Sequence, residues 1–105
     1  MAAVNAEAAE YLPIEPEELA RLCEQYGVVE LAVFGSVARR ENRTDSDVDL
    51  LYTLAADSDL GWAIEELSDR LGKALGRSVH LVSKKYLHKM LRDQILSDAV
   101  VVYVA

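Results

Sequence analysis

A run of β-branched and apolar residues from Val28 to Phe34 halts abruptly at Gly35-Ser36, and this junction constrains the fold more than any other feature of the chain. A run of that kind reads as a mostly buried strand. Other elements must therefore pack over it, and the chain has only 105 residues to supply them. That length fits one domain and excludes two ordinary ones. With 51% hydrophobic residues the chain can form a core, which excludes a disordered reading. No apolar run approaches the roughly 20 residues of a membrane-spanning helix, and Met1 to Tyr11 lacks the basic start of a signal peptide. The single cysteine, Cys23, excludes an internal disulfide framework and a multi-cysteine zinc site, and its place on an apolar helix stripe marks a core thiol.

Alternating signals surround this strand. An Ala/Glu-rich lead-in over 1–14 is expected as a tail or an extra helical turn, with one domain over 15–105. A helix is expected from Glu15, with Pro16 in its first turn, where a missing N–H does no harm. Leu19, Leu22, Cys23 and Tyr26 line its apolar side, and Gly27 stops it. Val37 to Arg40 suits a short helix, Glu41 to Ser46 a polar loop, and Asp47 to Leu54 a second strand. A longer helix near Asp59 to Leu75 offers Trp62, Leu67, Leu71 and Leu75 as core contacts (Trp62 also suits an interface), with Gly76 beyond its end. Ser78 to Val82 reads as a short strand. Lys84 to Leu96 reads as an amphipathic helix carrying Tyr86, Leu87, Met90, Leu91 and Ile95, and Ala99 to Val104 as a closing strand. The pattern indicates a small α/β or α+β domain.

The chemistry concentrates in Phe34-Gly35-Ser36-Val37-Ala38-Arg39 and Asp45-Ser46-Asp47-Val48-Asp49-Leu50. Gly35 has no side chain to obstruct a ligand. A helix starting there turns free N–H groups toward the pocket, where phosphate is the natural guest, and the Ser36 hydroxyl adds a donor. Asp47 and Asp49, two apart on a strand, project from one face. Two neighbouring carboxylates repel unless a cation lies between them, which makes the pair a candidate Mg²⁺ site. Magnesium keeps waters or phosphates among its ligands, so a nucleoside triphosphate such as ATP fits beside it. The pieces compose a site for metal-assisted phosphoryl or nucleotidyl transfer.

Gly35-Ser36, ten intervening residues and Asp47-x-Asp49 together resemble the signature of the nucleotidyltransferase superfamily that includes DNA polymerase beta. On a chain this short the pattern is similar to the minimal nucleotidyltransferases, antitoxin partners of HEPN-domain toxins. The resemblance runs from about Glu15 onward. It implies a nucleotidyltransferase fold: a small mixed sheet with helices packed on one side. It also implies transfer of AMP from ATP to a tyrosine of a cognate HEPN ribonuclease, which silences the toxin, and the lack of a signal peptide is consistent with a cytoplasmic location. Gly35 and Ser36 would then hold the triphosphate, and Asp47 and Asp49 would hold Mg²⁺. Arg39 would touch phosphate, brace the Asp loop or form a plain surface ion pair.

Two positions depart from that family pattern. The superfamily carries a third carboxylate on a later strand, and here Val79-His80-Leu81-Val82 puts His80 in its place. A neutral imidazole accepts a proton near pH 7, so His80 is a candidate base. It supplies no negative charge, which leaves open an alternative in which catalysis has lapsed and the protein inhibits its toxin by binding. Arg40 stands where family members often have Gly.

The net charge is −7. General nucleic-acid binding needs a basic face to displace counterions, so it is not expected. Residues 1–30 hold seven Glu against one Arg, and residues 84–105 hold four Lys or Arg against two Asp. That asymmetry suits either solvated helix faces or a protein partner. His88 sits among Lys84, Lys85 and Lys89 and is expected at the surface.

Overall fold

The computed structural model describes residues 3–5, 8–40, 47–56 and 60–105. Its elements, in chain order, are β1 (Ala3–Val4), α1 (Ala8–Tyr11), α2 (Pro16–Gln25), β2 (Val28–Phe34), α3 (Gly35–Ala38), β3 (Val48–Leu54), α4 (Ala63–Leu75), β4 (Val79–Ser83), a 3-10 turn (Lys84–Tyr86), α5 (Lys89–Asp98) and β5 (Val100–Val104). The five strands form one mixed sheet in the order β1-β5-β2-β3-β4, in which only β3 and β4 run parallel.

The alternation of side chains along the central strands decides where the core lies. Leu31 and Val33 of β2, Val48, Leu50 and Tyr52 of β3, and Val79 of β4 join one buried cluster. On that side α2 contributes Leu19, Leu22 and Cys23, and α4 contributes Leu67, Leu71 and Leu75, each set at helical spacing. Phe34 and Asp49, which alternate with these residues, point to the other face. Arg70 of α4 braces α2 by bonding Gln25 Oε1 at 2.8 Å and the Tyr26 hydroxyl at 3.1 Å. The lead-in joins the same body: Ala3 and Val4 pair with β5, and Ala8 and Leu12 are buried in the core.

Several expectations change. Trp62 is not a core contact: it caps the start of α4 with 95% of its surface exposed, because the helix turns only Leu67, Leu71 and Leu75 inward. The predicted amphipathic helix from Lys84 is broken. Leu87 and His88 adopt extended backbone, and the His88 ring accepts a hydrogen bond from the Met90 N–H at 3.1 Å, so α5 starts afresh at Lys89. None of the residues in α5 is fully buried. The predicted loop Glu41 to Ser46 and the helix start near Asp59 lie outside the described residues. No helix among the described residues is long and apolar enough to cross a membrane.

Candidate functional site

The site is built on the sheet face away from α2 and α4. Register places Phe34 opposite Asp49, and Asp49 opposite His80, so one row crosses β2, β3 and β4. Asp47 stands just before β3, two residues from Asp49, and lies on the same side.

Gly35 opens α3 directly after the buried strand, with φ +72°, a left-handed conformation that favours glycine. A methyl group added there would sit 2.5 Å from Asp49 Oδ2 and 3.4 Å from its carboxyl carbon. The missing side chain at Gly35, expected to make room for a ligand, makes room here for the carboxylate of β3. The two halves of the motif meet at this point. Ser36, half-buried, follows in the single turn of α3, which the Arg39 N–H closes by donating to the Gly35 carbonyl at 3.1 Å.

Asp49 uses its oxygens in two directions. Oδ2 faces Gly35, while Oδ1 lies 3.5 Å from His80 Nδ1. His80 Nε2 lies 3.5 Å from Asp47 Oδ2, so the imidazole spans both carboxylates. The side chains of Asp49, Asp47 and His80 are 29%, 47% and 66% exposed, which leaves room for a ligand above them. His80, which the family resemblance puts in place of the third carboxylate, stands in register with Asp49.

Arg39 forms an ion pair with Asp98 at 2.9 Å, tying α3 to the last turn of α5. Sequence alone gave no signal for Asp98, which lies 59 residues away. Arg40 turns away from the site toward Glu10, at 2.6 Å, and lies over the Tyr11 ring. Hydrogen bonding to Tyr11, and then to Glu10, holds its guanidinium more firmly protonated than usual. Its φ of +58° explains why glycine suits this position. Cys23 is buried, and desolvation, with a smaller contribution from Glu24, pushes its thiol up to about 12, which leaves it inert as a nucleophile.

Beside the row lies an open cavity of about 580 Å³, lined by Phe34, Asp49 and His80, by Ile64 and Glu65 of α4, and by Leu91 of α5. Sequence reasoning singled out neither this cavity nor Glu65, because periodicity does not say which helix ends flank a strand. Among the described residues no group of three or more His, Cys, Asp or Glu could hold a metal ion. The donor set does fit Mg²⁺, which takes one or two carboxylates and keeps water or phosphate oxygens for the rest.

A mixed sheet that sets Gly35 against Asp49, with Asp47 on the same side, is a nucleotidyltransferase-type fold. The comparisons agree, and the chain belongs to the nucleotidyltransferase domain family, whose model matches residues 17–102. It is similar to the protein adenylyltransferase MntA of Thermococcus cleftensis, with 40% identity over 81 residues, 77% of this chain and 81% of that one. A solved candidate minimal nucleotidyltransferase superimposes with a TM-score of 0.68 at 40% identity, covering 80% of this chain and 85% of the other. A toxin–antitoxin structure with AMP-PNP has a TM-score of 0.67 at 23% identity, covering 81% and 69%. An MNT antitoxin complexed with a tri-AMPylated HEPN toxin of Shewanella oneidensis has a TM-score of 0.59 at 22% identity, covering 81% and 66%. The last two show likeness of fold.

Proposed function

We propose that this chain is an antitoxin that transfers AMP from ATP to a tyrosine of a HEPN-domain toxin in the cytoplasm. The observation that carries the reading is the closed row: Gly35 against Asp49 Oδ2, and His80 against Asp49 Oδ1 and Asp47 Oδ2. In this reading Gly35 and Ser36 hold the triphosphate at the start of α3, and Arg39, fixed by Asp98, stands at its edge. Asp47 and Asp49 would hold Mg²⁺, which when bound offsets phosphate charge and eases departure of pyrophosphate. The acceptor phenol oxygen forms a bond to the α-phosphorus as the α–β phosphoanhydride bond breaks and pyrophosphate leaves. His80 takes the phenol proton, because its imidazole is exposed and already beside both carboxylates.

The test is the intact mass of the co-encoded HEPN protein after incubation with this chain, ATP and Mg²⁺. A gain of one or more AMP units with the wild type, lost with Asp47→Asn, is the expected result; labelling that survives Asp47→Asn would sink the assignment. Replacing His80 by Asp returns the family's third carboxylate, so transfer should become faster with Mg²⁺ present, while without the cation the melting temperature should fall as three carboxylates repel.

A second reading is favoured by His80 itself. Its imidazole spans the two carboxylates where the family has negative charge. An antitoxin of this kind inhibits by binding alone. It predicts no mass change, a stable complex that blocks ribonuclease activity, and protection that survives Asp47→Asn and Asp49→Asn.

A further inference from the structure

We infer that the free edge of β4 is the docking site for the acceptor segment, which adds to the sheet as an extended strand and presents its tyrosine beside His80. The inference rests on the transfer reading above and specifies how the acceptor reaches that site.

β4 is the last strand of the sheet, with β3 on one side only. The hydrogen bond from the Val48 N–H to the Ser78 carbonyl, at 2.9 Å, fixes which backbone groups face which way. In a parallel pair the residues alternate, so His80 and Val82 direct their N–H and C=O toward β3. Val79, Leu81 and Ser83 direct theirs outward. The outward carbonyl of Val79 accepts a bond from Ser68 Oγ at 2.9 Å. Leu81 is left with a donor and an acceptor on the same open side, the pair that an added strand uses.

The surroundings suit a peptide. The 580 Å³ cavity follows β4 from Val79 to Val82 and reaches Asp49, so the edge and the reaction site form one continuous space. Ile64 of α4 walls it on one side, and Tyr86 and Leu91 on the other. Tyr86 is 78% exposed and Leu91 53% exposed, with Lys85 Nζ 5.5 Å from the Tyr86 ring centroid. Lys85, Lys89 and Arg92 are exposed along the segment that carries Tyr86 and Leu91, and Glu65 is the acidic residue of the α4 wall. The fitting partner is an extended, largely apolar segment flanked by acidic residues.

Strand spacing then selects the acceptor side chain. An added strand lies about 4.8 Å beyond β4, so its residue level with His80 is about 10 Å, or two spacings, from the Asp49 backbone. A side chain on the Asp49 face must bridge most of that gap. A tyrosine does so with its hydroxyl leading, whereas serine and threonine are too short.

Amide hydrogen exchange on the chain with and without its co-encoded HEPN protein, followed at Leu81 and Ser83, tests the inference. Slowing of the Leu81 amide by about tenfold or more in the complex is expected. The pair Tyr86→Asp and Leu91→Asp should raise the KM for the HEPN protein about tenfold while affinity for a fluorescent ATP analogue stays unchanged. A complex that forms and transfers AMP with Leu81 exchange unaltered overturns the edge site and leaves the transfer reading standing. Absence of both complex and mass shift overturns the transfer reading, and the inference falls with it. Slowing that appears in the chain alone as its concentration rises assigns the edge to a second copy instead, which also overturns it.

Discussion

The helices α4 and α5 share a design on paper and differ in what they do. Both carry apolar residues at helical spacing, but α4 packs on β4 and α5 lies against α3 and β2. α4 puts Leu67, Leu71 and Leu75 into the core, each less than a tenth exposed, whereas α5 buries nothing and leaves Met90 85% exposed. α4 faces the apolar side of the sheet, where Val79 and Leu50 await it. α5 contributes Leu91 and Ile95 to the cavity that also holds Asp49 and His80, which a fully packed helix would close. Periodicity reports that a helix has an apolar stripe; the surface it meets decides whether the stripe stabilises the fold or stays available.

The sharpest way to break this comparison is a matched pair of truncations. Leu71→Ala should lower unfolding free energy by about 2–5 kcal/mol through lost burial and a cavity, while Leu91→Ala should change it by less than about 0.5 kcal/mol. Equal losses in chemical denaturation would abolish the distinction.

A second prediction concerns the packed side alone. Cys23 has its thiol raised from 9.0 to about 12 by burial, and the Tyr103 hydroxyl, buried with no partner among the described residues, is raised for the same first reason. Above pH 9 the unfolded chain gives up the thiol proton while the folded chain retains it. Stability should therefore fall as pH rises from about 9 to 12. Cys23→Ala should flatten that slope, and Tyr103→Phe should be neutral or stabilising near neutrality, since it removes an unpaired buried hydroxyl. An alkaline unfolding profile unchanged by Cys23→Ala would show that α2 is less tightly packed than it looks.

A smaller effect is expected at Arg40, near the site. Arg40→Gly and Arg40→Ala both lose the exposed pair with Glu10, but only glycine accepts φ +58° without strain. Arg40→Gly should melt at the higher temperature of the two. The reverse order would mean that this turn rearranges freely and that the edge of the site is softer than its strands.

These contrasts also explain what could be read in advance. β2 was legible residue by residue because its apolar run and its Gly-Ser stop are both local. Alternation put Asp47 with Asp49 and His80 with Val82, but the register that sets His80 against Asp49 joins two strands and came only through the family resemblance. The break at Leu87-His88 was hidden because apolar spacing continues through it, and a histidine ring acting as a helix cap leaves no pattern in the sequence. Trp62 was misassigned because one large apolar residue near a helix start carries no information about which way it points. The pairing of Arg39 with Asp98 depends on where α5 ends, a tertiary fact.

The contact between Gly35 and Asp49 has a bearing on how such a chain can change over generations. Position 35 is guarded twice: any side chain there strains the turn and displaces the carboxylate, so a variant is removed whether selection acts on folding or on chemistry. Position 80 lies on an edge strand with its side chain 66% exposed, and no packing restrains it. A substitution there is felt first in the charge balance with Asp47 and Asp49 and hardly at all in the packing of the core, so this position can drift where position 35 cannot.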